Sequence, residues 1–497
     1  MIFKKIRVLV SLIIFLVPVL TQRVYANDNQ LSQVKLEKVE AYVKEQYEKA
    51  GIPGGSYAIV YQDQIIAVKG IGYSDLKLKK KASSETIYSI ASVTKPFTAT
   101  AILQLMEQGK LKIDDPVQKY LPWFSYKDKE KSKSVTIKHL LTHSAGINRF
   151  DADGSMFKNE KVNRNSLEDS IRSLKTVKMT DSPGVKGQYC NTCFNILGLI
   201  IEKVSGESYY DYMKNHVFQP LNLQHTVYGH NLKNQTNWDI AKEYSWFFGF
   251  RNNRLLNFET FGKSQDPEGG IYTNAEDLAS YVQSMLGHGK TQILDPSTLN
   301  RSFEGVVTSE EEDWEYTYGG FTVGKIANET ALYKGGDAIG SGASILFLPE
   351  QELGVALISG ESNSEVKFTI TKGILQILLG EEPASKDYPI PLFKLSGTIM
   401  LVVTILSALS IIWLSWSIYQ RMRTNSKTVK FRFISICLSI LFFIMASGLG
   451  YLLLTVRLSQ IGFYGFPIDW AVGLNSLLIT FTLWAIYHTY LSISSKK

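Results

Sequence analysis

At 497 residues the chain is long enough for two or three domains, and with 45% hydrophobic and 20% charged residues it has the composition of a folded protein, not a disordered one. The formal charge of +7 is unevenly placed: residues 1–26 contribute +4 and residues 394–497 contribute +8, which leaves residues 27–393 at −5. The basic excess belongs to the two ends, the body is mildly acidic, and nucleic-acid binding loses its support.

The chain opens on MIFKKIRVLVSLIIFLVPVLTQRVYAN. Lys4, Lys5 and Arg7 form a basic start, Val8 to Leu20 an apolar stretch too short for a comfortable span, and Val24-Tyr25-Ala26 ends on a small residue as a cleavage site does. A signal peptide over residues 1–26 is expected, with an uncleaved anchor as the alternative because Arg23 and Tyr25 depart from the usual site. Residues 30–50 read as an amphipathic helix, and GSYAIVYQDQIIAVKGIGYSD as two strands around the turn Gln62-Asp63-Gln64. Helical patterns dominate from 92 to about 290. Strand patterns return in YTYGGFTVGKI, TALYKGG, GASILFLP and LGVALISG, the last two forming a hairpin about Pro349-Glu350-Gln351-Glu352, and SEVKFTITKGILQILLG closes the body as a helix. This order predicts an α/β domain over residues 27–380, with one sheet made from the two chain ends and a helical insertion.

Residues 381–394 form a short Pro-containing linker. Three apolar runs follow, at about 396–419, 433–456 and 470–491, each long enough for a span of about 20 residues. A domain of three transmembrane helices over 395–497 is therefore expected. The connection after the first run carries Arg421, Arg423, Lys427, Lys430 and Arg432 and no acid, while the second carries one Arg and one Asp. The positive-inside rule puts the first connection and the C-terminus in the cytoplasm and residues 27–393 outside, in agreement with the signal peptide.

Four patterns carry chemistry. In YSIASVTKPFTATAILQLMEQGKL, Ser92 and Lys95 lie one turn apart at the start of a helix, where the lysine could take the serine proton and free amides could hold an oxyanion. Tyr189 and Asn191 stand just before a strong helical run, placed for proton transfer and for holding a substrate amide. Lys334 ends a strand before Gly335 and Gly336, which let a substrate backbone lie along the strand edge. Cys190 and Cys193 form a lone C-x-x-C, which excludes a four-cysteine zinc site and leaves a local disulfide or two packed thiols. His139 and His143 sit four apart, but no glutamate follows His139 and no third ligand is evident, so no metal is expected.

Ser-x-x-Lys, Tyr-x-Asn and Lys-x-Gly in this order, with VTIKHLLTHSAGI and PEGGIYTNAEDLASYVQSML, resemble the serine β-lactamase and penicillin-binding-protein superfamily, in particular its class C-like branch, over roughly residues 30–380. The tail resembles that of FmtA-like staphylococcal proteins and of membrane-bound peptidases that activate colibactin-type prodrugs. The resemblance implies a β-lactamase-like fold, an antiparallel sheet flanked by helices with a helical lobe. It implies Ser92 as acylated nucleophile, Lys95 and Tyr189 as its proton relay, Asn191, Lys334 and Gly336 in substrate binding, and the backbone amides of Ser92 and Asp337 as oxyanion hole. No cofactor is implied. The implied activity is a membrane-anchored extracytoplasmic hydrolase of amide bonds next to D-amino acids, in cell-wall peptides or acyl-peptide prodrugs. A penicillin-binding receptor or β-lactamase and an esterase of the same fold are the alternatives. Three positions depart from the family: Lys334 where many class C-like members have histidine, Gly335 where a Thr or Ser is usual, and Cys190 where a serine is common.

Overall fold

The structure, a computed structural model, describes residues 33–424 and 468–494 apart from 148–165, 254–261, 290, 311–312, 339, 385–387 and 389–391. The expected signal peptide and the apolar run 433–456 lie outside the described residues. The chain divides into two compact units: Met1–Lys242 with Leu256–Asp387, and Glu243–Leu255 with Tyr388–Lys497.

The first unit begins with helix α1 over 33–50 and strands β1 (Gly54–Tyr61), β2 (Gln64–Asp75) and β3 (Lys80–Lys81). The β1–β2 turn falls at Gln62, whose φ of 54° lets the chain reverse. From the other end of the unit come β9 (Gly305–Thr308), β10 (Glu315–Thr317), β11 (Thr322–Ile326), β12 (Glu329–Ala338), β13 (Ser341–Leu348) and β14 (Leu353–Ser359). They form one antiparallel nine-stranded sheet in the order β3-β2-β1-β14-β13-β12-β11-β10-β9, so the sheet is built from both chain ends as the sequence predicts. Every residue of β13 and β14 is buried, which explains why SGASILFL and LGVALIS read as continuous apolar runs and not as alternation.

Between the two halves of the sheet lies the helical lobe. A 3-10 turn at Ala91–Val93 leads directly into α2 (Thr94–Glu107), nearly all of it buried. Helix α3 (Ile137–Leu141) opens on a capping box between Thr136 and His139. Helix α4 (Asn191–Ser205) starts at Cys190 and ends at Gly206 with φ 80°, a left-handed cap that glycine adopts without a Cβ penalty. Helix α5 (Ala275–Met285) packs on β1 and β14, and α6 (Ser364–Leu379) packs on β13 and β14. The lobe also contains a small sheet of β4 (Tyr88–Ser89), β8 (Ile271–Thr273) and β5 (Val227–Tyr228), in the order β4-β8-β5. Strands of two or three residues are too short to imprint a period on the sequence.

The second unit contains a hairpin of β6 (Tyr244–Phe247) and β7 (Phe250–Asn253), with α7 (Leu392–Thr424) and α8 (Ile468–Ser494). The first and third apolar runs thus fall in helices. Among the described residues, Lys394–Ser417 of α7 is the one helical stretch long and apolar enough to cross a membrane. The two helices pack side by side in parallel. Gly473 lies against Met400, Trp484 Nε1 donates to Ser410 Oγ at 2.6 Å, and Ser417 and Tyr487 share a hydroxyl hydrogen bond of 2.8 Å. Small residues at the contact and polar groups bridging it are the means by which helices associate where apolar burial gives no drive.

Candidate active site

Ser92 sits in the 3-10 turn that delivers the chain into α2. Ala91 before it takes φ 47°, a left-handed conformation that costs a non-glycine residue about 1–2 kcal/mol. The strained turn presents Ser92 while α2 carries Lys95 one turn later on the same side.

Lys95 is 0% exposed, and its ammonium donates to three oxygens: Ser92 Oγ at 3.1 Å, Asn191 Oδ1 at 2.9 Å and the Glu268 carbonyl at 2.7 Å. An ammonium has three donors, so these acceptors match it in number. Two of the three are carbonyl oxygens, which can only accept. An amine would still satisfy both with its two N–H bonds and turn its lone pair toward Ser92. The site therefore fits the lysine in either protonation state, as a proton acceptor requires.

Tyr189 enters from the start of α4, and its hydroxyl donates to Ser92 Oγ at 2.7 Å. Lys95 Nζ lies 5.0 Å and Lys334 Nζ 4.9 Å from the centroid of the Tyr189 ring. Lys334, on β12, is buried as well. Three segments far apart in sequence thus form one cluster, with Lys95 and Tyr189 on the Ser92 hydroxyl, Asn191 on Lys95 and Lys334 beside the Tyr189 ring.

Gly336 brings β12 against the backbone of Ser92. A Cβ there would overlap the Ile90 carbonyl oxygen and lie 2.7 Å from the Ser92 amide nitrogen and 2.9 Å from that of Val93. The glycine is therefore a requirement of close approach, and Asp337 follows it on the same strand. The Asp337 carboxylate is tied to Lys367 Nζ and Ser364 Oγ of α6, and Lys367 is fully buried. This anchors the end of β12 to the helix behind it.

Cys190 and Cys193 form a disulfide with Cα atoms 5.4 Å apart, which resolves the two alternatives left by the sequence. Cys190 Sγ accepts the Cys193 amide at 3.0 Å, so the residue between Tyr189 and Asn191 also caps α4. The histidines have separate structural roles. His139 Nδ1 accepts the Thr136 amide at 3.2 Å in the capping box, and burial pushes its pKa below the usual imidazole value.

Sequence reasoning missed two features. The His143 ring stacks on that of Tyr189, centroids 4.6 Å apart, and its Nδ1 accepts the Cys190 amide at 3.0 Å. The space above Gly335 is not empty: the Tyr333 hydroxyl occupies it, so that a Cβ at 335 would overlap that oxygen. A side chain at 335 would have to displace the Tyr333 hydroxyl. The alternation of side chains along a strand, which puts 333 and 335 on one face, was the available signal.

The description "Beta-lactamase" belongs to the family model that matches residues 39–376. The chain is 26% identical to Protein flp of Staphylococcus aureus (strain MW2) over 477 residues, covering 94% of this chain and 91% of that protein. Its structure is similar to that of the octameric penicillin-binding protein homologue from Pyrococcus abyssi, with a TM-score of 0.61 and 26% identity over 74% of this chain and 81% of that one. EstCE1, a hydrolase with promiscuous acyltransferase activity, shares the fold at a TM-score of 0.59 and 23% identity, covering 70% of this chain and 98% of its own. A family match of that extent, on an architecture shared with a solved penicillin-binding-protein homologue, means that the chain belongs to the Beta-lactamase family and is a serine hydrolase.

Proposed function

We propose that the protein is a membrane-anchored, extracytoplasmic amidase that acts through an acyl-enzyme on peptides containing D-amino acids. The observation that carries the chemistry is the pair of hydrogen bonds on one oxygen, from Tyr189 and from Lys95 to Ser92 Oγ. Ser92 Oγ attacks the amide carbon, and its proton passes to Lys95 with Tyr189 as relay. The backbone amides of Ser92 and Asp337 hold the oxyanion, and the C–N bond breaks as the relay returns the proton to the leaving nitrogen. Water then attacks the ester carbon, gives its proton to the same relay, and the C–O bond to Ser92 breaks as Oγ recovers a proton. Lys334 supplies positive charge beside the Tyr189 ring while the proton is in transit. Asn191 and the β12 edge at Gly336 position the substrate amide.

The substrate class rests on membership of the Beta-lactamase family and on likeness to a penicillin-binding-protein homologue. Anchoring is supported by the apolar stretch Lys394–Ser417. The parallel packing of α7 and α8 supports an intervening return span, since a chain that crosses twice in one direction must cross back between. The basic connection at 421–432 supports an outside catalytic unit.

The test is intact-protein mass spectrometry after exposure to penicillin, short esters and a panel of D-amino-acid amides. Wild type is expected to gain an acyl adduct and to turn over D-amino-acid amides, and Ser92→Ala to do neither. Equal labelling of both proteins would refute Ser92 as the nucleophile. Turnover of esters alone would refute the amidase reading.

A further inference from the structure

The hairpin Tyr244–Asn253 belongs with the tail helices and not with the sheet-and-helix unit from which the chain leaves at Lys242. Its strands pair from Tyr244↔Asn253 to Phe247↔Phe250, leaving Phe248-Gly249 as a two-residue turn. Both turn residues have positive φ, 50° and 80°. This geometry suits Asn-Gly or Asp-Gly, and a bulky aromatic at the first position is strained. Phe247 is 38% and Phe250 68% exposed. A two-stranded hairpin is marginally stable alone in water, and this one points phenylalanines outward as an apolar face.

The hairpin is fixed to the first apolar stretch at a definite height. Gly249 lies so close to Thr398 that a Cβ there would overlap Thr398 Oγ1. Trp246 receives the Lys394 ammonium 5.3 Å and the Arg251 guanidinium 4.7 Å from its ring centroid. Lys394 is the last charged residue before the apolar run, where an ammonium snorkels to the headgroups. Thr398 is four residues further along α7, about 6 Å deeper at the helical rise. An aromatic element placed about 5–10 Å below the headgroup boundary is where interfacial segments settle. Leu395, Ile399 and Val402 of α7 are exposed beside it and continue the same apolar surface.

We propose that the hairpin Tyr244–Asn253 inserts into the outer leaflet beside α7, with Phe247, Phe248 and Phe250 at the acyl boundary and Trp246, Lys394 and Arg251 at headgroup level. Its partner is the lipid surface itself. The inference rests on the reading of Lys394–Ser417 as a span. It gives the catalytic unit a second tether, in mid-sequence, besides the C-terminal linker.

The test uses the wild-type full-length chain in phosphatidylcholine–phosphatidylglycerol nanodiscs and two footprinting reagents, water-borne hydroxyl radicals and a diazirine lipid carbene. Residues 244–253 and 395–409 are expected to take several-fold more carbene than the exposed Leu78 and to be spared oxidation, with Leu78 the reverse. Oxidation of 244–253 to the level of Leu78, with 395–409 still labelled by carbene, would overturn the insertion and leave the span standing. Protection of the hairpin from both reagents would also overturn it, by showing a protein cover. Oxidation of 395–409 would remove the span and the hairpin insertion together.

Discussion

The imidazole of His143 lies flat against the phenol of Tyr189, with ring planes 29° apart. The same histidine meets Tyr316 edge-on at 4.7 Å, so the ring that backs Tyr189 is itself held by a third. In the proposed mechanism His143 is a positioning residue for Tyr189. His143→Ala should lower the rate of acylation by a fluorescent penicillin about 100-fold, the scale of a displacement of about 1 Å at a reacting group. Affinity for the probe should change little, and His143→Phe, which keeps a ring in the wedge, should recover part of the rate. A single-turnover rate for His143→Ala within a factor of two of wild type would show that Tyr189 needs no such support.

Lys95 lies at the centre of three acceptors, and its removal costs both charge and geometry. Lys95→Ala should reduce acylation by about 10²–10⁴-fold, the range for a lost general base. Stopped-flow labelling across pH would check this. Full activity of the variant would transfer the base role to Tyr189 alone.

Gly336→Ala tests the approach of β12 to Ser92. The atoms its Cβ would meet are backbone atoms of Ile90, Ser92 and Val93, which cannot rotate aside. The cost in stability should be about 1–3 kcal/mol, as for other overpacked sites, and acylation should be nearly abolished. Denaturant titration and probe labelling measure the two effects separately.

Reduction of the Cys190–Cys193 bridge tests whether the cap of α4 holds the relay. The loop it closes is short, so the chain-entropy contribution is about 2 kcal/mol. Cys190→Ser with Cys193→Ser should lower the melting temperature by a few degrees and slow acylation, because Tyr189 and Asn191 flank Cys190. A loss of stability with unchanged acylation would confine the bridge to a scaffolding role.

Asp266 gives a pH signature. Burial raises its carboxyl pKa from 3.8 to about 6, against the opposing pull of His230, whose Nδ1 lies 3.0 Å from Oδ2. Because the folded protein holds this proton more tightly than the unfolded chain, stability from this group is full below about pH 4 and is lost as pH rises to about 6. The loss is about 3 kcal/mol for a shift of this size. Denaturant titrations of wild type and Asp266→Asn from pH 4 to 7.5 should show the variant gaining on wild type as pH rises. A difference that stays constant across that range would contradict it.

Much of this molecule was legible because its signals are local or periodic. Ser92 and Lys95 share one helical turn, and the apolar runs of β13 and β14 mark strands covered on both faces. What could not be read is relational. His143 reaches Tyr189 only because α3 and α4 pack together, and the Tyr333 hydroxyl fills the space at Gly335 only once β12 is extended. The hairpin 244–253 was hidden because YSWFFGFRNN is aromatic on both faces and so shows no alternation. The disulfide was left open because spacing alone does not decide the state of two thiols.

The register of β1 against β14 sets an order of events during synthesis. Gly55 pairs with Ser359 and Tyr61 with Leu353, so the first strand made finds its neighbour only after about 300 further residues have been translated. At about 5–20 residues per second that wait is roughly 15–60 s. Throughout it the apolar residues of β1 have β2 on one edge and an open edge on the other, a template for wrong pairing. β12, which carries Lys334 and Gly336, is completed in the same late interval. Lys334 and Gly336 can therefore join Ser92, Lys95 and Tyr189 only after the last strands of the sheet have been made.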